Sequence, residues 1–141
     1  MSHMVGNAGN RSVEDIEGDA WDAAQSDATY VIRRIHELRR VPVREFGIED
    51  MRIMLSQKVG TAAVLPRALD VLEGNPLSSG DFYPGDLLVA VLGLGPDHWS
   101  GDAALLDRAR RIAEQAEAVT AELGGSHIRE IRRLASEFLS D

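Results

Sequence analysis

The chain has 141 residues, no cysteine and a formal net charge of −8. That length suits one domain with its own core, and the missing thiols exclude disulfide and thiolate chemistry. The charge argues against a nucleic-acid binder, because gripping the phosphate backbone needs a basic footprint, and no apolar run approaches the roughly 20 residues that span a bilayer.

The opening Met1-Ser2-His3-Met4 reads as a cloning remnant and 5–12 has little pattern, so residues 1–12 are expected to be a disordered start and 13–141 one helical domain. No signal-peptide pattern is visible, and a cytoplasmic location is the expectation. Ser12 followed by Asp15 is a helix-start signal, and Gly18 should end the short helix SVEDIE. The acids Glu14, Asp15, Glu17, Asp19, Asp22 and Asp27 follow one another here with no Lys or Arg between them. Asp27 can cap the next helix, ATYVIRRIHELRR, in which Val31, Ile35 and Leu38 return on one face and which Pro42 closes.

Helix IEDMRIMLSQ aligns Ile48, Met51 and Leu55 and breaks at Gly60. TAAVLPRALDVLEGN aligns Leu65, Leu69 and Leu72, with Pro66 expected to start or kink it, and Gly74-Asn75-Pro76 stops it. In NPLSSGDFYPGDLLVAVL, Pro76 and Gly80 set turns, Asp81 can accept backbone hydrogen bonds near Tyr83, and Pro84 at a first helical position launches an apolar helix with Asp86 in its first turn. Phe82, Tyr83, Leu87, Leu88, Val91 and Leu92 are read as packing residues.

After GPDHWSGD, Asp102 can cap a long helix over 103–123 with a stripe of Leu105, Ala109, Ile112, Ala116, Val119 and Leu123. Gly124-Gly125 stops it, and Ser126 opens a last helix carrying Ile128, Ile131, Ala135 and Phe138. No segment alternates as a strand. The expectation is an all-α, irregular array of about six or seven helices, with the last two longest.

Tests for chemistry come out against an enzyme. His36, His98 and His127 are isolated, without zinc-binding spacing, and no run of oxygen ligands makes a calcium loop. No serine sits in a nucleophile elbow, and the single lysine, Lys58, is not part of a phosphate-binding loop. The carboxylate pairs Glu49/Asp50, Asp81/Asp86 and Glu114/Glu117 have cheaper accounts as helix-start or solvated charges. No catalytic residue, metal or cofactor is assigned. Asp81 and Asp86 in one concave pocket would reopen the enzyme reading.

The run LRRVPVREFGIEDMRIMLSQKVG, then VLPRALDVLEGNPLSSGDFYPGDLLVAVL and Trp99, resembles the immunity proteins that accompany contact-dependent growth inhibition toxins in bacteria. The matching pattern is an arginine-proline segment (Arg39, Pro42), an E-D-hydrophobic-R helix (Glu49, Asp50, Arg52), a Gln57-x-x-Gly60 turn and a helix through Pro66. The signature Asn75-Pro76-Leu77 with Gly80, Asp81, Phe82, Tyr83, Pro84, Gly85, Asp86, Leu87 and Leu88 follows. Ile16, Glu17 and Trp21 hint at the family's opening. The likeness covers about three fifths of the chain and not the last two helices; Val41, Val43 and Thr61-Ala62-Ala63 depart from the pattern.

The resemblance implies a non-enzymatic inhibitor that binds the C-terminal toxin domain encoded beside it, and many such domains are nucleases with basic clefts. An acidic partner suits such a cleft by steering and by competing with nucleic acid. For the toxin surface the reading is the acidic front, Glu14, Asp15, Glu17, Asp19, Asp22 and Asp27, anchored by Trp21, with Asp97, His98, Trp99 and Asp102 as a second patch. Arg39, Asp50, Arg52, Asp81, Tyr83, Pro84 and Asp86 are read as scaffold, with Arg39 and Arg52 pairing to Glu49, Asp50, Asp81 or Asp86. A helical adaptor with an unrelated partner is the alternative.

Overall fold

A computed structural model of the chain describes residues 10–140. Among these residues there are seven α-helices and two short 3-10 helices, and the only β-type pairings are isolated bridges, Ser12 with Pro42 and Ser79 with Pro84. The fold is all-α, and its longest helices are the last two. No described helix is long and apolar enough to cross a membrane.

Helix α1 (Val13–Glu17) begins with the reciprocal cap that the sequence announces. The Asp15 amide donates to Ser12 Oγ (3.1 Å) and the Ser12 amide to Asp15 Oδ2 (3.4 Å), which satisfies two otherwise orphaned N–H groups. Gly18 turns into the left-handed region (φ 65°) and ends it. Residues 1–9 of the stretch set aside above lie outside the described residues. Ser12 is buried, and Arg11 gives its carbonyl to the Val43 amide (3.0 Å), so these two are already packed into the fold.

Helix α2 (Tyr30–Leu38) is capped by Thr29, whose Oγ1 accepts from the Ile32 amide (3.3 Å), and not by Asp27 as expected. Both residue types can cap; Ile35 and Leu38 must face the core, and that phase makes Thr29 the residue at the helix mouth. A 3-10 turn (Val43–Glu45) then leads to buried Phe46, whose carbonyl takes two bonds from Arg67 (3.1 and 3.3 Å).

Helix α3 (Ile48–Ser56) buries Met51, Ile53, Met54 and Leu55, so it is apolar on more than one side and touches α2, α4 (Thr61–Gly74) and α5 (Asp86–Leu92). Each such side chain contributes about 2 kcal/mol by leaving water. Between α3 and α4, Gly60 combines positive φ (63°) with a close approach: a Cβ there would fall 2.8 Å from Val13 Cγ1. That is how α1 seats against α4. Helix α4 begins at Thr61 and continues past Pro66, so the proline does not start it, one of the two expectations there. Its Leu65, Ala68, Leu69 and Leu72 are all buried, and this packing outweighs the one amide that proline removes.

A second 3-10 turn (Pro96–His98) and Trp99 precede α6 (Ala103–Thr120), capped by Asp102, whose Oδ1 accepts from the Leu105 amide (3.0 Å). Helix α7 (Ser126–Ser140) folds back antiparallel on α6: Arg132 reaches the Glu117 carbonyl (3.0 Å) and Thr120 Oγ1 (2.9 Å) near the turn. Trp99 meets Phe138 edge-on (5.4 Å) at the far end. Buried Ala109, Ala113 and Ala116 allow that close approach. The expected apolar stripe ends sooner: Leu123 lies beyond the end of α6 at Thr120, and both it and Val119 in the last turn of the helix are exposed. The hairpin covers α4 and α5, closing one apolar core from Val13 to Ala135.

Candidate functional site

The segment 18–29 has no regular structure and lies along α2. What holds it is a set of cationic and imidazole donors on α2 and in the turn after it, aimed at its carbonyl oxygens, with Arg33 of α2 donating to that of Ala28. Arg39 is 1% exposed, and its guanidinium donates to Glu17 Oε1 (2.8 Å) and to the Asp19 carbonyl, while lying 4.0 Å above the Trp21 ring. Arg40 donates to the Trp21 carbonyl (3.1 Å) and sits 3.7 Å from Glu14. His36 Nδ1 is 2.9 Å from the Asp22 carbonyl, which can only accept, so Nδ1 carries the proton; its ring meets Trp21 edge-on at 5.2 Å. Sequence reasoning gave Arg39 a partner among Glu49, Asp50, Asp81 and Asp86. The structure pairs it with Glu17.

The six acids of this front divide accordingly. Asp15 is consumed by its helix cap, and Glu14 and Glu17 by Arg40 and Arg39. Asp19, Asp22 and Asp27 are exposed, with no ion pair to their carboxylates among the described residues. Trp21 is half-buried against the core. Asp22 and Asp27 stand at an open cleft of about 590 Å³ whose wall includes Trp21, Ile32 and His36, and Tyr30 and Ile32 are exposed apolar side chains on the same helix. Tyr30 and Ile32 were missed because the helical face argument followed only the residues that turn inward.

The second patch does not stay together as a surface. Trp99 is 6% exposed and belongs to the core, where Phe138 covers it, which leaves Asp97 exposed without its aromatic neighbour.

The signature residues build a different site. Asp86 is 3% exposed and folds back over the turn before it, accepting from the amides of Gly80 (2.6 Å), Phe82 (3.0 Å) and Tyr83 (3.4 Å). The carboxylate that collects amides is therefore Asp86, not Asp81. Asp81 is exposed, and its own amide donates to Glu49 Oε1 (2.9 Å). Arg52 clamps Glu49 with two bonds (2.7 and 2.6 Å) and lies 3.9 Å from Asp86. The Arg52 bond holds the Glu49 carboxyl below its ordinary range. Asp50 closes the α3 start by accepting the Gly47 amide (2.9 Å) and pairs with Arg34 on α2 (3.0 Å).

Pro84 does not open α5 as expected. It precedes Gly85, whose left-handed backbone (φ 93°) forms the cap and whose missing Cβ leaves room for Ile131 of α7. Tyr83 stacks on His127 (3.9 Å, 8°), and burial pushes its phenol pKa up. Phe82, read as a packing residue, is 69% exposed, with the Arg52 guanidinium 4.2 Å from its ring.

The Asp86 and Glu49 carboxylates are spent on backbone amides and Arg52, and Asp81 is exposed, so Asp81 and Asp86 do not form a pair of free carboxylates. Among the described residues no group of three or more His, Cys, Asp and Glu side chains could hold a metal ion.

A comparison with curated proteins finds no match. The family model of CDI immunity proteins matches residues 15–109, more than half of the 141-residue chain. The match takes in both irregular segments, the Arg39 anchor and the Asp86 turn, and stops within α6. The chain belongs to the CDI immunity proteins, the immunity partners in contact-dependent growth inhibition, and is a toxin's protein partner and not an enzyme.

Proposed function

We propose that this immunity protein neutralises a basic nuclease, the C-terminal toxin domain encoded beside it, by binding it through the segment 18–29 and the adjoining face of α2. One observation carries the reading. Among the described residues the exposed carboxylates of Asp19, Asp22 and Asp27 have no cation paired to them, although the same short front uses Glu14 and Glu17 to satisfy Arg40 and Arg39. Acids left unpaired beside exposed Tyr30 and Ile32 supply what a basic partner needs, with steering from the charge and contact area from the aromatic and aliphatic side chains. A net charge of −8 adds a field of the same sign. Neutralisation must occur where a nuclease meets its substrate, so the protein works in the cytoplasm.

The test is binding of the adjacent toxin domain to the wild type and to a triple Asp19→Asn, Asp22→Asn, Asp27→Asn variant at low and high salt. Slower association, an affinity about tenfold weaker and a flatter salt dependence are expected. Unchanged affinity removes this face from the interface, and a toxin domain that cleaves no nucleic acid removes the nuclease.

A further inference from the structure

Phe82 is the most exposed large apolar side chain among the described residues, at 69%, and it stands in a loop with little freedom. The Gly80, Phe82 and Tyr83 amides are all taken by Asp86, the Asp81 amide by Glu49, and the Gly85 amide by the Leu77 carbonyl (3.1 Å). The ring itself rests over Arg52, which is held in place by the two bonds it donates to Glu49. A fold that needed only a turn here could end it with any polar residue. This one holds an aromatic ring outward on a preorganised frame, so little further ordering is required when something covers it.

We propose that Phe82 is a second contact for the toxin domain, inserting its ring into an apolar pocket rimmed by basic side chains. The inference rests on the toxin-binding reading above. The charge around the ring points to the rim: the Arg52 guanidinium beneath it is bonded to Glu49 and lies 3.9 Å from Asp86, and the neighbouring Asp81 is exposed, so three carboxylates stand around this guanidinium and the local charge is negative. That is the same sign as the segment 18–29, so a single basic partner satisfies both. A second copy of this chain would instead bring acid against acid, which costs affinity. The two surfaces are also joined through the first turn of α3, where Asp50 pairs with Arg34 of α2 and its neighbour Glu49 holds the loop.

The experiment titrates the adjacent toxin domain into the wild type, Phe82→Ala and Phe82→Leu by calorimetry, with sedimentation velocity and thermal unfolding of each protein alone. Phe82→Ala should weaken binding about 30-fold, in the range of an interface anchor, with Phe82→Leu in between. Melting temperature should be unchanged, because the ring is exposed. If wild type binds and Phe82→Ala binds equally well, this inference fails while the toxin reading stands. If wild type does not bind the toxin domain at all, the toxin reading itself fails. If the wild type self-associates, Phe82→Ala abolishes that and toxin affinity is kept, a second copy covers the ring and the inference is overturned.

Discussion

The segment between α1 and α2 turns carbonyl oxygens towards the protein, and the segment between α4 and α5 turns amide hydrogens towards it. The first is therefore anchored by donors: Arg39, Arg40 and His36 reach the carbonyls of Asp19, Trp21 and Asp22. The second is anchored by acceptors, with Asp86 and Glu49 collecting the amides of four consecutive residues, Gly80 to Tyr83. Irregular backbone must find partners for its polar groups, and the side that faces inward dictates the charge of the anchor. A further consequence is rigidity. Long donors on α2 and just beyond it hold four points of the first segment, Ala28 included, and leave a cleft beside it, whereas two short carboxylates leave the second almost no room to adapt.

The comparison is broken most severely at Asp86. Asp86→Ala would strand three amides at a nearly buried position, and a loss of about 3–4 kcal/mol in denaturant unfolding is expected. A loss below about 1 kcal/mol would mean that water can replace the carboxylate and that the turn is not held as described.

Arg39 is the counterpart in the first segment, and its loss should be milder because the released loop can hydrate. Arg39→Ala is expected to cost about 2–3 kcal/mol and to raise amide hydrogen exchange across 18–22. Arg39→Lys should recover little, since an ammonium cannot fork between Glu17 and the Asp19 carbonyl while stacking flat on Trp21. Full recovery with lysine would show that charge alone holds the segment.

The smallest effect is one of pH. Glu49 has its pKa lowered in the folded protein by Arg52, so its contribution is present above the ordinary glutamate value of about 4.3 and is lost as pH falls through the lowered one. The stability gap between wild type and Glu49→Gln should be present at neutral pH and close in that acidic window. A gap that persists at pH 2 would assign the difference to shape rather than charge.

Much of the fold is legible in local chemistry. Ser12 and Asp15, Gly18 and Asp102 act within a few residues of themselves, and they delimit helices where the sequence places them. Errors gather where two residues offer the same local chemistry. Asp27 and Thr29 are both capping types, and Asp81 and Asp86 both follow a glycine; only the position of the helix they serve separates them. Aromatic residues mislead for a related reason. From sequence, Trp99 is expected in a surface patch and Phe82 in the packing, and the fold reverses them, because an aromatic side chain carries no local sign of which way it will face.

The sequence by itself determined the helical class, through apolar periodicity and caps, and the family, through the run from Arg39 to Leu88. It also determined the acidic balance. Which acids remain available to a partner was decided only by tertiary structure. Glu17 meets Arg39 across 22 residues of chain, and Asp81 meets Glu49 across 32. Periodicity and capping act over one or two helical turns, whereas charge pairing depends on which surfaces the core brings face to face.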